Sequence, residues 1–214
     1  MTAPRGRLVA LEGIDGCGKS TQARLLAEHL GAVSSVEPVL TFEPGATPLG
    51  ASLRGLLLGR DGDPVAPRAE ALLMAADRAQ HVADVIAPAL EAGRWVVTDR
   101  FSASTLAYQG FGRGLDGVDL EGLVDWATGG LRPDHTVLFD LPVAEATSRR
   151  RRDGDDRMEA EGSAFQQRVA DGFRSLAALG GDRWVVVDAT DPVEVVAARV
   201  WDAVAALAGP GGPR

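Results

Sequence analysis

Gly13-Ile14-Asp15-Gly16-Cys17-Gly18-Lys19-Ser20 sets two glycines with four residues between them and follows the second with Lys and Ser. That is the spacing of a phosphate-binding loop. Lys19 is the only lysine of the chain; the other 21 of its 22 basic residues are arginine. A position needing only positive charge would read Arg here, so a solitary lysine points to a slim ammonium on a flexible stem. Upstream, Leu8-Val9-Ala10-Leu11 is a short apolar run that predicts a buried strand. Downstream, Ala23, Leu26, Ala27 and Leu30 fall at i, i+3, i+4 and i+7, the stripe of an amphipathic helix, and Gly31 supplies a stop. Strand, glycine turn and helix together form a cradle of backbone N–H groups for a polyphosphate at a helix N-terminus. In that arrangement Lys19 reaches the β- and γ-phosphates of a nucleoside triphosphate and the Ser20 hydroxyl takes one position on Mg²⁺.

Composition narrows what such a chain can be. Its 214 residues suit a single domain, placed at 1–208, with a tail at 209–214 (Gly-Pro-Gly-Gly-Pro-Arg) expected to be disordered. No apolar run approaches the length of a membrane span, and the N-terminus lacks the apolar core of a secretory signal. One cysteine, Cys17, allows no internal disulfide and reads as a small filler of the loop. These features predict a cytoplasmic protein. A net charge of −8 argues against nucleic-acid and anionic-membrane surfaces, so any phosphate must meet locally clustered arginines. The chain has no asparagine, which excludes the Asn-Lys-x-Asp sequence of a guanine-reading GTPase.

Further strands are predicted over 36–41, where Pro38 weakens the pattern, and at Trp95-Val96-Val97-Thr98, Thr136-Val137-Leu138-Phe139 and Trp184-Val185-Val186-Val187. The last three each run into an aspartate: Asp99, Asp140 and Asp188. Helical patterns lie around 47–58, 66–92, 116–128, 143–152, 163–179 and 192–208. The alternation predicts an α/β fold, a parallel sheet with helices on both faces and ligands at the carboxyl ends of the strands. Helix 66–92 is expected to bury Leu72, Ala75, Ala79, Val82 and Ile86. Arg54, Arg78 and Arg100 come from separated segments and could together meet a second phosphate, distinct from those of the triphosphate. The run Arg149-Arg150-Arg151-Arg152-Asp153-Gly154-Asp155-Asp156-Arg157-Met158-Glu159 reads equally as a solvated helix end or as a mobile lid; spacing alone leaves both open.

Taken in order, several motifs resemble one family. They are the loop with its flanks Leu11-Glu12 and Thr21, Glu43-Pro44-Gly45-Ala46-Thr47, Ala76-Asp77-Arg78-Ala79-Gln80-His81, Asp99-Arg100-Phe101 and Ala107-Tyr108-Gln109-Gly110. Gly112-Arg113-Gly114, Asp156-Arg157-Met158-Glu159 and Asp188-Ala189-Thr190 extend the match over nearly the whole chain. The set is similar to bacterial thymidylate kinase. The resemblance implies a P-loop kinase fold with a five-stranded parallel sheet, a short arginine-rich lid at about 149–161, a homodimer, and transfer of the ATP γ-phosphoryl group to dTMP. Gly16, where one subtype has arginine, and the arginines of the lid resemble the bacterial subtype, whose catalytic cation comes from the lid.

Residue by residue, the resemblance implies that ATP meets Gly13, Asp15, Gly16, Cys17, Gly18, Lys19, Ser20, Thr21 and Ala189. It places Asp15 on the 3′-hydroxyl of the acceptor sugar, Arg100 and Arg54 on its phosphate, and Glu43 and Pro44 in the same site. Arg78, Thr105 and Gln109 face the polar edge of the base, Tyr108 crowds the 2′ position, and Asp99 joins Ser20 in holding Mg²⁺. Lys19 and Arg100 are catalytic, as are Arg152 and Arg157 among the lid candidates Arg150, Arg151, Arg152 and Arg157. Two positions depart from the family pattern. Phe42 stands where arginine is common before Glu-Pro-Gly, and Met74 stands where a phenylalanine commonly stacks on the thymine ring. They keep open two alternatives: a kinase for a modified pyrimidine deoxynucleoside monophosphate, and a nucleotide-binding module with impaired catalysis.

Overall fold

The structure, a computed structural model, describes residues 5–34, 36–59, 64–149 and 157–205. The expected tail at 209–214 and lid residues 150–156, Arg152 included, lie outside these. In chain order the elements are β1 (Leu8–Glu12), α1 (Lys19–Val33), β2 (Val39–Phe42), α2 (Pro48–Leu58), α3 (Pro67–His81), a π-helical turn (Val82–Ile86) and α4 (Ala87–Glu91). Then come β3 (Val96–Asp99), α5 (Ser102–Thr105), a π-helical stretch (Leu106–Gly112), α6 (Gly117–Thr128), β4 (His135–Asp140), α7 (Val143–Arg149), α8 (Ser163–Leu179), β5 (Trp184–Asp188) and α9 (Val193–Ala205).

The five strands form one parallel sheet in the order β2-β3-β1-β4-β5. All five residues of β1 are buried, because its alternate side chains enter two different cores. Leu8 and Ala10 pack with Ile86, Leu90, Val96 and Phe101; Val9 and Leu11 pack with Leu26, Leu30, Val97, Val137 and Phe139. Such double burial is why Leu8 to Leu11 form a continuous apolar run, and each full-sized aliphatic side chain there contributes about 1.5–3 kcal/mol. The chain passes from β1 to one side for β2 and β3, then crosses to the other for β4 and β5. That reversal opens a crevice at the carboxyl end of β1, where the glycine loop lies.

Several local expectations are corrected. Helix α1 continues through Gly31 to Val33 and ends at the extended Ser34, whose N–H donates to Leu30 O. Strand β2 begins after Pro38, at Val39, since proline has no N–H for the ladder. The expected helix 66–92 is one continuous helical run from Pro67 to Glu91 with a π-helical turn inside it, but Leu72, expected in the core, is 59% exposed. Its buried face carries Glu70, Ala71, Ala75, Asp77, Arg78 and His81, a charged set that a purely apolar stripe cannot reveal. The helical segment from Ser102 to Gly112 was not foreseen. Asp140 and Asp188 are structural: Asp140 pairs with Arg174, and Asp188 accepts from Thr190 N and Oγ1 in a turn.

Candidate active site

At the end of β1 the chain turns through the glycine loop and enters α1 at Lys19. Gly18 caps this helix at φ 95°, a left-handed conformation costly for any residue with a Cβ. Lys19 is only 5% exposed, and its Nζ donates to Ile14 O at 2.9 Å with Cys17 Sγ 3.6 Å away. An ammonium has three N–H groups, so at least one remains for a phosphate oxygen. Burial pushes the Cys17 thiol above its usual value against the pull of Lys19, so the sulfur is a neutral filler. Ser20 Oγ, on the first turn of α1, donates to Asp99 Oδ2 at 2.5 Å.

Arg100 follows β3 with φ 73°, a conformation rare for a non-glycine residue and held by its surroundings. Its N–H donates to Leu11 O. Its guanidinium donates to Gly13 O (3.1 Å) and Ser104 Oγ (2.9 Å) through Nη1, and to Asp15 Oδ1 (2.5 Å) and Tyr108 Oη (3.1 Å) through Nη2. Tyr108 Oη in turn donates to Asp15 Oδ2 at 2.7 Å. Burial alone would raise the Asp15 carboxyl, but Arg100 and Lys19 more than cancel this and hold it well below the usual carboxylate range. Beneath lies Glu12, fully buried, which accepts from Phe101 N (2.9 Å), Ser104 N (3.2 Å) and Ser104 Oγ (2.6 Å). Burial pushes its carboxyl up against these bonds. Glu12 therefore fixes the start of α5 and, through Ser104, one edge of the Arg100 guanidinium.

Two cavities meet here. The larger, about 1030 Å³, is lined by the whole stretch 15–23 together with Phe42, Arg149, Ala189 and Thr190. The narrower, about 90 Å³, is lined by Pro44, Leu58, Met74, Arg78, Ser104, Thr105, Tyr108, Gln109 and Met158. Both share Asp15, Glu43, Arg54 and Arg100. All ten expected acceptor-site residues thus line one cavity, and the expected loop residues line the other except Gly13, whose carbonyl holds Arg100. The three arginines are not equivalent. Arg78 is 2% exposed and donates to Glu43 (2.8 Å), Thr105 Oγ1 (2.8 Å) and Phe101 O (3.0 Å), so its charge is already answered by a carboxylate. Arg54 is exposed and donates to Pro44 O at 2.8 Å. Arg100 also meets a carboxylate, Asp15, but its side chain is 14% exposed where that of Arg78 is 2%, so of the three expected phosphate arginines Arg54 and Arg100 are the accessible ones.

The donor set also fits a hard cation. Asp99 Oδ1 is buried without a hydrogen-bond partner among the described residues, and Asp99 Oδ2 already meets the Ser20 hydroxyl. No group of three or more acidic, His or Cys side chains that could hold a metal occurs among the described residues. One carboxylate plus one hydroxyl suits Mg²⁺, which keeps waters and takes its other ligands from substrate phosphates. In the segment expected to form a lid, Arg157 Nη2 reaches Glu70 Oε2 at 3.4 Å, and its buried Nε has no partner among the described residues.

A family model described as thymidylate kinase matches residues 11–200, from the end of β1 into α9. The chain belongs to the thymidylate kinase family. The thymidylate kinase of Synechococcus sp. (strain CC9605) is 56% identical over 178 residues, covering 80% of this chain and 85% of that one. That of Alkalilimnicola ehrlichii is 45% identical over 203 residues, covering 94% and 93%. A crystal structure of thymidylate kinase from Ehrlichia chaffeensis superposes with a TM-score of 0.76 at 33% identity, over 94% of this chain and 99% of that one. Within this thymidylate kinase fold, sequence reasoning missed Arg149, which lines the larger cavity and donates to Ala189 O at 2.9 Å. Its run of four arginines was the signal; the other three lie outside the described residues. Ser104, which lines the narrower cavity, and Glu12 and Glu70, which act through neighbours, were missed because none carries a spacing of its own.

Proposed function

We propose that the chain transfers the γ-phosphoryl group of ATP to dTMP, giving dTDP and ADP. An oxygen of the acceptor phosphate forms the new P–O bond, the bond from the γ-phosphorus to its bridging oxygen breaks, and ADP leaves with that electron pair. The observation that carries the reading is the junction of the two cavities. A polyphosphate cradle with a buried lysine opens onto a smaller pocket walled by base-sized polar groups, and Arg100 and Asp15 stand where they meet. Nucleotides bound there lie end to end, and holding reacting groups together in this way removes much of the barrier.

In this reading Lys19 and the loop amides hold the β- and γ-phosphates, while Thr21 and Ala189 flank the donor. Arg100 and Arg54 hold the acceptor phosphate, and Asp15 accepts from the 3′-hydroxyl. Tyr108 fills the space a 2′-hydroxyl would need. Arg78, Thr105 and Gln109 meet the base edge, with Glu43 and Pro44 below and Met74 against its face, where thioether contact is worth about 0.3–1.5 kcal/mol. Ser20 and Asp99 would hold Mg²⁺, which when bound neutralises charge on the β- and γ-oxygens. Arg157, and Arg152 beyond the described residues, would add cations from the lid. Phe42, half-exposed at the rim, supplies no charge, but Lys19, Arg54, Arg100 and Arg149 line the same cleft, which weighs against an impaired module.

The homodimer is also part of this proposal. Leu49 and Leu56 on α2, Leu72 on α3, and Val118 and Trp126 on α6 are exposed, and α3 packs against both neighbours. A cytoplasmic location follows from where dTMP and ATP occur. No helix of the described residues is long and apolar enough to cross a membrane.

A coupled ADP-release assay over a panel of nucleoside monophosphates tests the function. We expect Mg²⁺-dependent turnover with dTMP preferred, and loss of turnover by at least about 10²-fold in Lys19→Ala. Preference for dUMP or a 5-substituted relative would overturn the substrate while leaving the reaction class. Silence across the panel with ATP still bound would overturn catalysis itself.

A further inference from the structure

Glu70 on α3 is fully buried and touches neither the loop nor the junction of the cavities. Its Oε1 accepts from Gln109 Nε2 (2.9 Å) and Arg113 Nε (3.1 Å); its Oε2 accepts from Arg113 Nη2 (3.0 Å) and Arg157 Nη2 (3.4 Å). A carboxylate removed from water is tolerated only when paired. Here one guanidinium grips both oxygens and a second lies against Oε2, so the group carries its charge. An ionised carboxylate accepts and cannot donate.

That restriction passes to Gln109. Its amide has a donating and an accepting end, and only the donating end can face Glu70. Oxygen and nitrogen of an amide are hard to tell apart by shape, but here the chemistry of the partner decides. Gln109 Oε1 is thereby turned away from Glu70, on a residue that lines the narrow cavity beside Arg78 and Thr105. Arg78 has five N–H groups, three of them engaged by Glu43, Thr105 and Phe101 O. The wall thus offers a fixed donor, Arg78, next to a fixed acceptor, Gln109. A pyrimidine with a carbonyl at C4 and a proton on N3 complements that pair. One with an amino group at C4 and a bare N3 meets donor with donor and acceptor with acceptor.

We propose that Glu70 is a positioning residue for base choice: by locking the Gln109 amide it makes the cavity reject 4-aminopyrimidine nucleotides. The proposal rests on the reading of the narrow cavity as the pyrimidine site. A site built to hydrogen-bond one polar group leaves its own groups unpaired with the wrong ligand, which discriminates far more strongly than shape.

The test compares kcat/KM for dTMP and dCMP in the wild type and in Glu70→Gln. A glutamine at 70 can accept or donate, so the Gln109 amide is no longer held one way. The dTMP-over-dCMP preference should fall by at least about tenfold, through KM for dTMP, with KM for ATP changed far less. A merely structural role would depress kcat for both nucleotides and leave their ratio alone; an unchanged ratio overturns the proposal. The substitution removes the carboxylate partner of Arg157 and one of the two that Arg113 holds, so a second variant guards against a failure to fold. Gln109→Met, which leaves Glu70, Arg113 and Arg157 in place, then decides: it must lose the same discrimination, and a retained ratio overturns the proposal. A wild type active on dTMP that does not discriminate against dCMP would also sink it while the function stands. A wild type inactive on dTMP would instead remove the site reading beneath it.

Discussion

Arg100 sits at φ 73°, and its guanidinium donates four hydrogen bonds, to Gly13 O, Ser104 Oγ, Asp15 Oδ1 and Tyr108 Oη. A backbone in this region costs on the order of 1–3 kcal/mol, so the surroundings must over-determine it. They do: Leu11 O takes its N–H, Glu12 ties the next turn, and Asp15 meets its charge. The planar fork reaches all four partners at once, which a lysine cannot do. Arg100→Lys should therefore lower kcat/KM for dTMP by about 10²–10³, as loss of a preorganised charge-stabilising donor does, with KM for ATP changed less in steady-state kinetics. Equal losses in both nucleotides would contradict this. The same substitution should release Asp15. In the wild type its folded pKa lies below the unfolded value of about 3.9, so the pair's contribution to stability is complete above that pH. It is lost only as pH falls through the lower folded value. The Asp15 carboxyl resonance should hold steady between pH 6 and 4 in the wild type and begin to move within that window in the variant.

At the scale of elements, the stretch from Ser102 to Gly112 carries Thr105, Tyr108 and Gln109 to the narrow cavity. It lies tight on α8: a Cβ on Gly112 would come within 2.7 Å of the Phe165 ring and 3.0 Å of Val169. Gly112→Ala should cost about 1–3 kcal/mol by overpacking, read as a lowered melting temperature, and raise KM for dTMP by displacing Tyr108 and Gln109. An unchanged melting temperature would show the approach to be looser. This element was invisible in the sequence because Ser, Thr and Gly favour turns and its helix is held by packing. β1, β3 and β4 were legible because each is a short apolar run buried on both faces, whereas the edge strands β2 and β5 are partly exposed. Leu72 was misread because the buried side of α3 is lined by Glu70, Asp77, Arg78 and His81, and a network of paired charges mimics a solvent face. The site was legible in the same measure. Loop, Asp99 and Arg100 carry spacing, whereas Glu12 and Glu70 act from one layer beneath and gain meaning only from their partners.

For the molecule as a whole the net charge is −8, and the cleft sets Lys19, Arg54, Arg100 and Arg149 among the carboxylates Asp15, Glu43, Asp99 and Asp191. Steering of anionic nucleotides must come from Lys19, Arg54, Arg100 and Arg149 rather than from the overall field. Exposed apolar residues on α2, α3 and α6, with Trp126 83% exposed, form the face we assign to a second copy. Light scattering on the eluted protein should give twice the 22.4 kDa chain mass, and Trp126→Glu should return it to one chain. A wild type that elutes as a single chain at micromolar concentration would contradict the dimer. The central claim, however, is that donor and acceptor lie end to end across Arg100 and Asp15. It is tested most directly by titrating calorimetrically a compound that joins adenosine and thymidine through a chain of five phosphates. The account predicts binding tighter than either ATP or dTMP alone by about 10²–10⁴, because the second contact becomes intramolecular. Binding no tighter than ATP would show that the two cavities do not meet in line.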